Sequence, residues 1–166
     1  MMKKALALLT VLMLAVTFGA QAKTIDLTYE GVSFDVPDDF EPVMEDEGDT
    51  AQVFIFSAAS LPDASFVVSI GNDENEVKPI DEHDDAALEA LFESASGDLH
   101  EPAYTLKEVN GITFMVITEA TNCEVIYLTI YESTYIHMGV FTLGGTTLTQ
   151  DQTSTLETIT QSLKVN

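Results

Sequence analysis

This sequence predicts an α+β domain: a twisted antiparallel β-sheet flanked by helices. Three observations predict it. Strand-like runs come in consecutive groups, with no βαβ alternation. Two segments carry an apolar stripe at helical spacing, and neither can bury that stripe alone. An Asn-Gly pair, Asn110-Gly111, sits between two strand runs, the strongest short hairpin signal a sequence carries.

The chain opens on an export signal. Lys3 and Lys4 form a positive start, Ala5 to Gly19 an apolar run, and Ala20-Gln21-Ala22 a small-residue cleavage site. The apolar run is about 15 residues, short of the roughly 20 that span a bilayer. No basic stop-transfer cluster follows, and no cysteine stands at the cleavage point for a lipid anchor. Residues 1–22 are therefore expected to be a cleaved signal peptide. Residues 23–166 form a single α+β domain, periplasmic or secreted.

Ile25, Leu27 and Tyr29 alternate with polar residues, as do Val32, Phe34 and Val36. Glu30-Gly31 separates them, so a hairpin with one buried face is expected. Pro37 ends the second strand because it donates no ladder hydrogen bond. Asp38 to Thr50 is acidic and carries Pro42 and Gly48, which reads as a loop. Ala51 to Ala58 and Ser65 to Gly71 are strands split by a turn at Leu61-Pro62-Asp63. Their near-continuous apolar runs predict central strands covered on both faces. A polar segment from Asn72 to Asp81 leads to a helix over Asp84 to Ser96. Its stripe is Leu88, Leu91, Phe92 and Ala95, and Gly97 supplies the stop.

Strands follow at Tyr104 to Val109, Ile112 to Ala120, Cys123 to Glu132 and Tyr135 to Leu143. A last helix over Thr149 to Leu163 turns Leu156, Ile159 and Leu163 inward, with Leu148 stapling its start. The order is ββ, ββ, α, ββββ, α.

The opening YEGVSFDVPDDFEPV resembles the start of the PsbP-like superfamily. That group includes the extrinsic photosystem subunits, a Ran-binding nuclear factor and many small bacterial envelope proteins. Its members run a short hairpin into a Pro-containing turn followed by an aromatic, here Pro37 and Phe40; tryptophan is frequent at the aromatic position. The VNGITF hairpin and the closing LETITQSLKV, with Ser162-Leu163-Lys164, also fit. The resemblance covers most of residues 24–165. It implies an α-β-α sandwich, and binding or accessory work rather than catalysis, because the superfamily shares a fold and no common active site.

Charge narrows the functional classes. The whole chain has six lysines, no arginine and 28 acids, a formal charge of −22. Losing Lys3 and Lys4 leaves −24 on the expected mature domain. Such a surface opposes nucleic acid and anionic lipid, which require basic patches. Without arginine, the usual bidentate clamp for carboxylate and phosphate is missing. The acidity reads first as solubility. An unidentified protein partner or small ligand is the expected binding class, with a cation, a basic partner or a neutral apolar ligand all compatible with the charge. No membrane contact is expected after cleavage, and the domain is expected to be a monomer.

The chemistry-bearing residues form no recognised catalytic or metal pattern. Asp81, Glu82, Asp84 and Asp85 stand at a helix start, where acids cap free N–H groups and meet the positive end of the dipole. Asp73 to Glu76 lacks the spacing of a calcium loop. Glu45, Asp46, Glu47 and Asp49 read as a solvated loop. His83, His100 and His137 share no ligand spacing. His137, Met115 and Cys123 are soft-ligand types that make a copper site only if they converge. Met115 and Met138 otherwise read as core filler, and Cys123, beside Glu124, as a quiet thiol. Nucleophile elbows, zincin helices and phosphate loops are absent from the sequence. The expectation is an exported, soluble binding or accessory protein without catalysis. Catalytic, cofactor-binding and metal residues are expected to be none, as are cofactors. The alternatives are divalent-cation (Ca²⁺) binding through the acidic loops and an uncharacterised hydrolase. The expected binding surface is a groove between sheet and helix, or the stretch Asp38 to Asp49.

Overall fold

The computed structural model describes residues 22–26, 31–47, 51–72, 78–131 and 133–165. The expected signal segment up to Gln21 lies outside the described residues, as do Asp73 to Glu76 and the second half of the first expected strand.

The predicted hairpin forms: β1 (Ala22–Asp26) runs antiparallel to β2 (Val32–Pro37), with Ile25 opposite Phe34. It stands apart from the main sheet. The free edge of β2 takes β10 (Lys164–Val165) instead, giving a three-stranded sheet in the order β1-β2-β10. The sequence runs the last helix to Leu163, whereas α2 spans Gln150–Gln161 and stops at Ser162. The Ser162 hydroxyl accepts the Asp35 N–H at 2.7 Å and approaches the Ile159 carbonyl at 2.6 Å. One side chain thus ends the helix and stitches it to β2, freeing Lys164 and Val165 to pair.

The main sheet has seven strands in the order β3-β4-β5-β9-β8-β7-β6, every neighbour antiparallel. These are β3 (Phe40–Glu47), β4 (Ala51–Ala58), β5 (Ala64–Asn72), β6 (Ala103–Val109), β7 (Ile112–Thr118), β8 (Glu124–Tyr131) and β9 (Thr134–Thr142). Asn110 and Gly111 take φ of 52° and 80°, the left-handed pair that a two-residue turn between β6 and β7 needs. The helix α1 (Asp85–Ser96) carries the chain across one face from β5 to the far edge.

The expected loop from Asp38 to Thr50 is mostly strand. β3 pairs with β4 and shifts register between Pro42 and Met44. Its anchor is Phe40, 2% exposed, whose ring lies 4.8 Å from that of Phe66 and 6.3 Å from that of Phe56. An edge strand offers one side to the ladder, so a proline and several acids are tolerated there. Burial of one aromatic outweighs the turn signals of Pro42 and Gly48.

Alternation along the strands divides the interior in two. On one face Phe34, Phe56, Phe66, Phe114, Met138, Leu156 and their neighbours form a large core under α2 and the small sheet. On the other, Met115, Ile117, Ile126, Leu128 and Ile130 pack beneath Leu88 and the half-buried Leu91, Phe92 and Ala95 of α1. Helices therefore lie on both faces, as the resemblance implies. Ile80, 1% exposed, joins the second core from a 3₁₀ turn over Ile80–Glu82, inside a segment that reads as polar.

The strands covered on both faces are β7 and β8, not β4 and β5. Along β4 buried and half-buried positions alternate strictly. Val53, Ile55 and Val67 lie outside both cores. A helix of 12 residues reaches only part of a seven-stranded sheet, and α1 spends its apolar stripe on β7 and β8.

Candidate functional site

The sheet–helix groove expected from the sequence lies at the C-terminal end of α1. Leu88 and Leu91 hold the helix against β7 and β8, so its last turn ends above β8 and β9. Asp84 caps the start, accepting the Ala87 N–H at 2.9 Å. The end has no positive counter-charge: Gly97 at φ 48° breaks the helix, and no basic residue occupies the last turn. That end carries the negative pole of the helix dipole. The chain beyond is tied down. Leu99 N–H donates to the Ser96 carbonyl at 2.9 Å, His100 N–H to Glu119 Oε1 at 3.2 Å, and Ala120 N–H to the His100 carbonyl at 3.2 Å.

Between this rim and the sheet lies a groove of about 390 Å³. Ala95, Ser96, Asp98 and Leu99 form its wall; Glu124, Ile126 and His137 form its floor. Pairing of β8 with β9 places Ile126 opposite Gly139 and Leu128 opposite His137. A Cβ on Gly139 would stand 3.7 Å from His137 Cε1 and 3.8 Å from Nε2, so the imidazole leans along the strand over the glycine. Removal from water lowers the His137 pKa and keeps the ring neutral at pH 7. The Glu124 carboxyl has its pKa raised, first by burial and then by the charge of Glu119. Neither side chain makes a hydrogen bond or ion pair with another described residue.

The remaining candidates are accounted for locally. Asp84 is a helix cap, and Asp81 and Glu82 belong to the 3₁₀ turn. His83 Nε2 donates to the Lys78 carbonyl at 2.9 Å, leaving Nδ1 buried without a donor. Cys123 donates its S–H to Glu119, whose carboxylate raises the thiol pKa, so the sulfur stays protonated at neutral pH. Met115 and Met138 are both fully buried, in opposite cores. Leu128 stands between Met115 and His137 in the strand pairing, and Cys123 is engaged with Glu119 ahead of β8, so the soft ligands His137, Met115 and Cys123 do not converge. Among the described residues no three His, Cys, Asp or Glu side chains stand close enough to hold a metal ion. Other hollows among the described residues have their polar groups engaged. One, of about 200 Å³ under the 3₁₀ turn, is lined by Thr113 and Thr129, whose polar atoms bond each other at 2.7 Å. One of about 440 Å³ lies by Asp39, whose carboxylate is engaged by Ser60 N–H at 3.1 Å.

In the sequence Glu124 is only the neighbour of a cysteine, and His137 a lone histidine. Their meeting depends on the β8–β9 register and on where α1 ends. The one local sign is Gly139, a glycine in a strand interior, which marks a close approach.

The small sheet, the seven-stranded sheet and a helix on each face define an α-β-α sandwich of PsbP-like fold. Cyanobacterial PsbP (CyanoP) from Synechocystis sp. PCC 6803, solved in solution, has this architecture. It matches at TM-score 0.57 and 13% identity, over 89% of this chain and 94% of that one. A crystal structure from Bacteroides thetaiotaomicron VPI-5482 matches at TM-score 0.50 and 15% identity, over 88% of this chain and 49% of that one. No protein-family model and no curated protein sequence matches the chain. Among the described residues no helix is long and apolar enough to cross a membrane.

Proposed function

We propose that this chain is an exported accessory protein that binds a partner through the groove at the end of α1 and performs no catalysis. The observation carrying this reading is the groove itself. Its rim is held by main-chain hydrogen bonds, and its floor presents Glu124 and His137 without partners among the described residues. Buried or half-buried polar groups normally find partners within the fold. Two that do not, facing one hollow, are suited to a partner from outside. The signal-like start supplies the address, and the domain acts there as a monomer of residues 23–166.

Photo-crosslinking in the native envelope tests it. A photoreactive residue replaces Leu99 in one variant and Asp151, on the exposed surface of α2, in another. The reading expects a discrete adduct from position 99 and none from position 151. No adduct at 99, or equal adducts at both, sinks it. A calcium-binding reading has a separate test: millimolar Ca²⁺ is expected to leave the melting temperature unchanged, whereas a bound native-state ligand raises it.

A further inference from the structure

The groove is electronegative from three directions. The carbonyl end of α1 closes it from above with no basic residue to offset the dipole. Glu124 lies on the floor, with Glu119 close enough to repel its charge, and Asp98 stands at the rim. Among the described residues no lysine lines it. Lys107 is committed to Glu157 and Lys164 lies 4.0 Å from Asp35. A half-buried carboxylate in this setting gains most from an incoming positive charge.

We propose that the groove is a subsite for one basic side chain of a protein partner, an ammonium or guanidinium on an aliphatic stem, with the Glu124 carboxylate as its counter-ion. This rests on the groove being a binding site, and goes further by naming what enters it. The choice of cation follows from the donor set. A metal ion such as Ca²⁺ wants six to eight oxygens, and among the described residues no such cluster is present. An ammonium has three donors and a guanidinium five, and both are attracted by the Glu124 carboxylate and the negative pole of α1. Ile126, Leu99 and Ala95 supply an apolar lining for the stem, as long basic side chains prefer.

The choice of a protein source follows from what lies beyond the groove. A site for a small molecule encloses most of its ligand. This one opens onto a stretch of sheet that belongs to neither described core. On the same face, Ile126 is paired with Gly139, Gly139 with Val67 and Val67 with Ile55, a cross-strand row running outward from β8 to β4. Val67 and Ile55 are half-buried and belong to neither core. The row gives an apolar path for the chain that carries the basic residue. The formal charge of −22 steers such a partner inward.

The test is an NMR titration of the purified protein with three probes at low ionic strength. The first is a blocked tripeptide, Leu-Lys-Leu. The second is the same peptide with norleucine for lysine, which keeps the stem and removes the charge. The third is n-butylamine. The proposal expects the lysine peptide to shift Leu99, Glu124, Ile126 and His137 together with Val67 and Ile55. It expects the norleucine peptide to bind at least about tenfold more weakly, as loss of one partly desolvated charge pair implies. Glu124→Gln, which keeps the shape, should abolish the difference between the two peptides, while Asp151→Asn should preserve it. Equal binding of the two peptides overturns the proposal, as does discrimination that survives Glu124→Gln. Butylamine binding as tightly as the lysine peptide overturns the protein source. An envelope adduct at position 99 without lysine preference would leave the accessory-protein reading standing and this inference refuted.

Discussion

The two halves of the seven-stranded sheet solve the same problem differently. In β7 and β8 both faces are buried: Phe114, Val116, Val125 and Tyr127 turn toward α2, and Met115, Ile117, Ile126 and Leu128 toward α1. In β4 and β5 only one face is buried, under Phe54, Phe56, Phe66 and Val68, while Val53, Ile55 and Val67 stay half-open. Both halves share the large core, so the difference lies in α1 and the 3₁₀ turn at Ile80 beside it. Coverage follows the reach of one 12-residue helix, and the candidate site sits where that coverage stops. A fully covered face has no room for a ligand, and a bare one has no wall. The boundary has both.

The largest test compares two isoleucines on the same face of the sheet. Ile117 is fully buried and Ile55 is not. Ile117→Ala is expected to cost about 3 kcal/mol, in the range for a core truncation. Ile55→Ala is expected to cost less, about 1–2 kcal/mol, because its side chain is only partly withdrawn from water and packs in neither core. Denaturant unfolding of both variants gives the values. Equal costs would mean the open face is covered in solution.

The helix caps give a smaller and more local effect. Thr149 accepts the Gln152 N–H at 3.3 Å while the Gln152 side chain returns to the Thr149 N–H at 2.8 Å. Thr149→Ala and Asp84→Ala should each cost about 1 kcal/mol. Amide exchange should separate them. Losing the α2 cap should speed exchange in both halves of the sheet, and losing the α1 cap in β7 and β8 alone. A spread of the second effect to β4 would break the comparison.

Acidity probes the boundary itself. The His137 pKa is lowered in the fold, so between its ordinary 6.5 and the lower folded value the unfolded chain binds more protons. Stability from this group is full above 6.5 and falls as pH drops through that window. Glu124 works the other way. Its folded pKa lies above the ordinary 4.5, so the native state takes up its proton first and stability rises as pH falls toward 4.5. Melting curves should lose the decline below pH 6.5 in His137→Gln and the opposing rise in Glu124→Gln. At neutral pH Glu124→Gln should stabilise the protein by about 0.5 kcal/mol or less. A loss of stability there would mean that the carboxylate has a partner within the fold.

Much of this architecture was legible in the chain, and the failures share a cause. Leu88, Leu91, Phe92 and Ala95 announced α1, Asn110-Gly111 announced its hairpin, and Thr149 stood where α2 begins. Each signal is local, carried by residues within a few positions of one another. Phe40 misled because its burial depends on Phe56 and Phe66, far along the chain. Ile80 misled because one apolar residue among polar ones has no period to read. Lys164 and Val165 make a strand only because Ser162 fastens the helix end to β2.

The sequence by itself determined that this is an acidic α+β domain with two amphipathic helices, strands in consecutive runs and an export-like start. Those follow from periodicity, turn chemistry and charge, which act over short separations. Tertiary structure alone decided which face α1 covers, how far its coverage extends, and that Glu124 and His137 meet beneath its end. Strand register and helix placement bring distant residues together, and a side chain's loss of water depends on those neighbours rather than on its own sequence context.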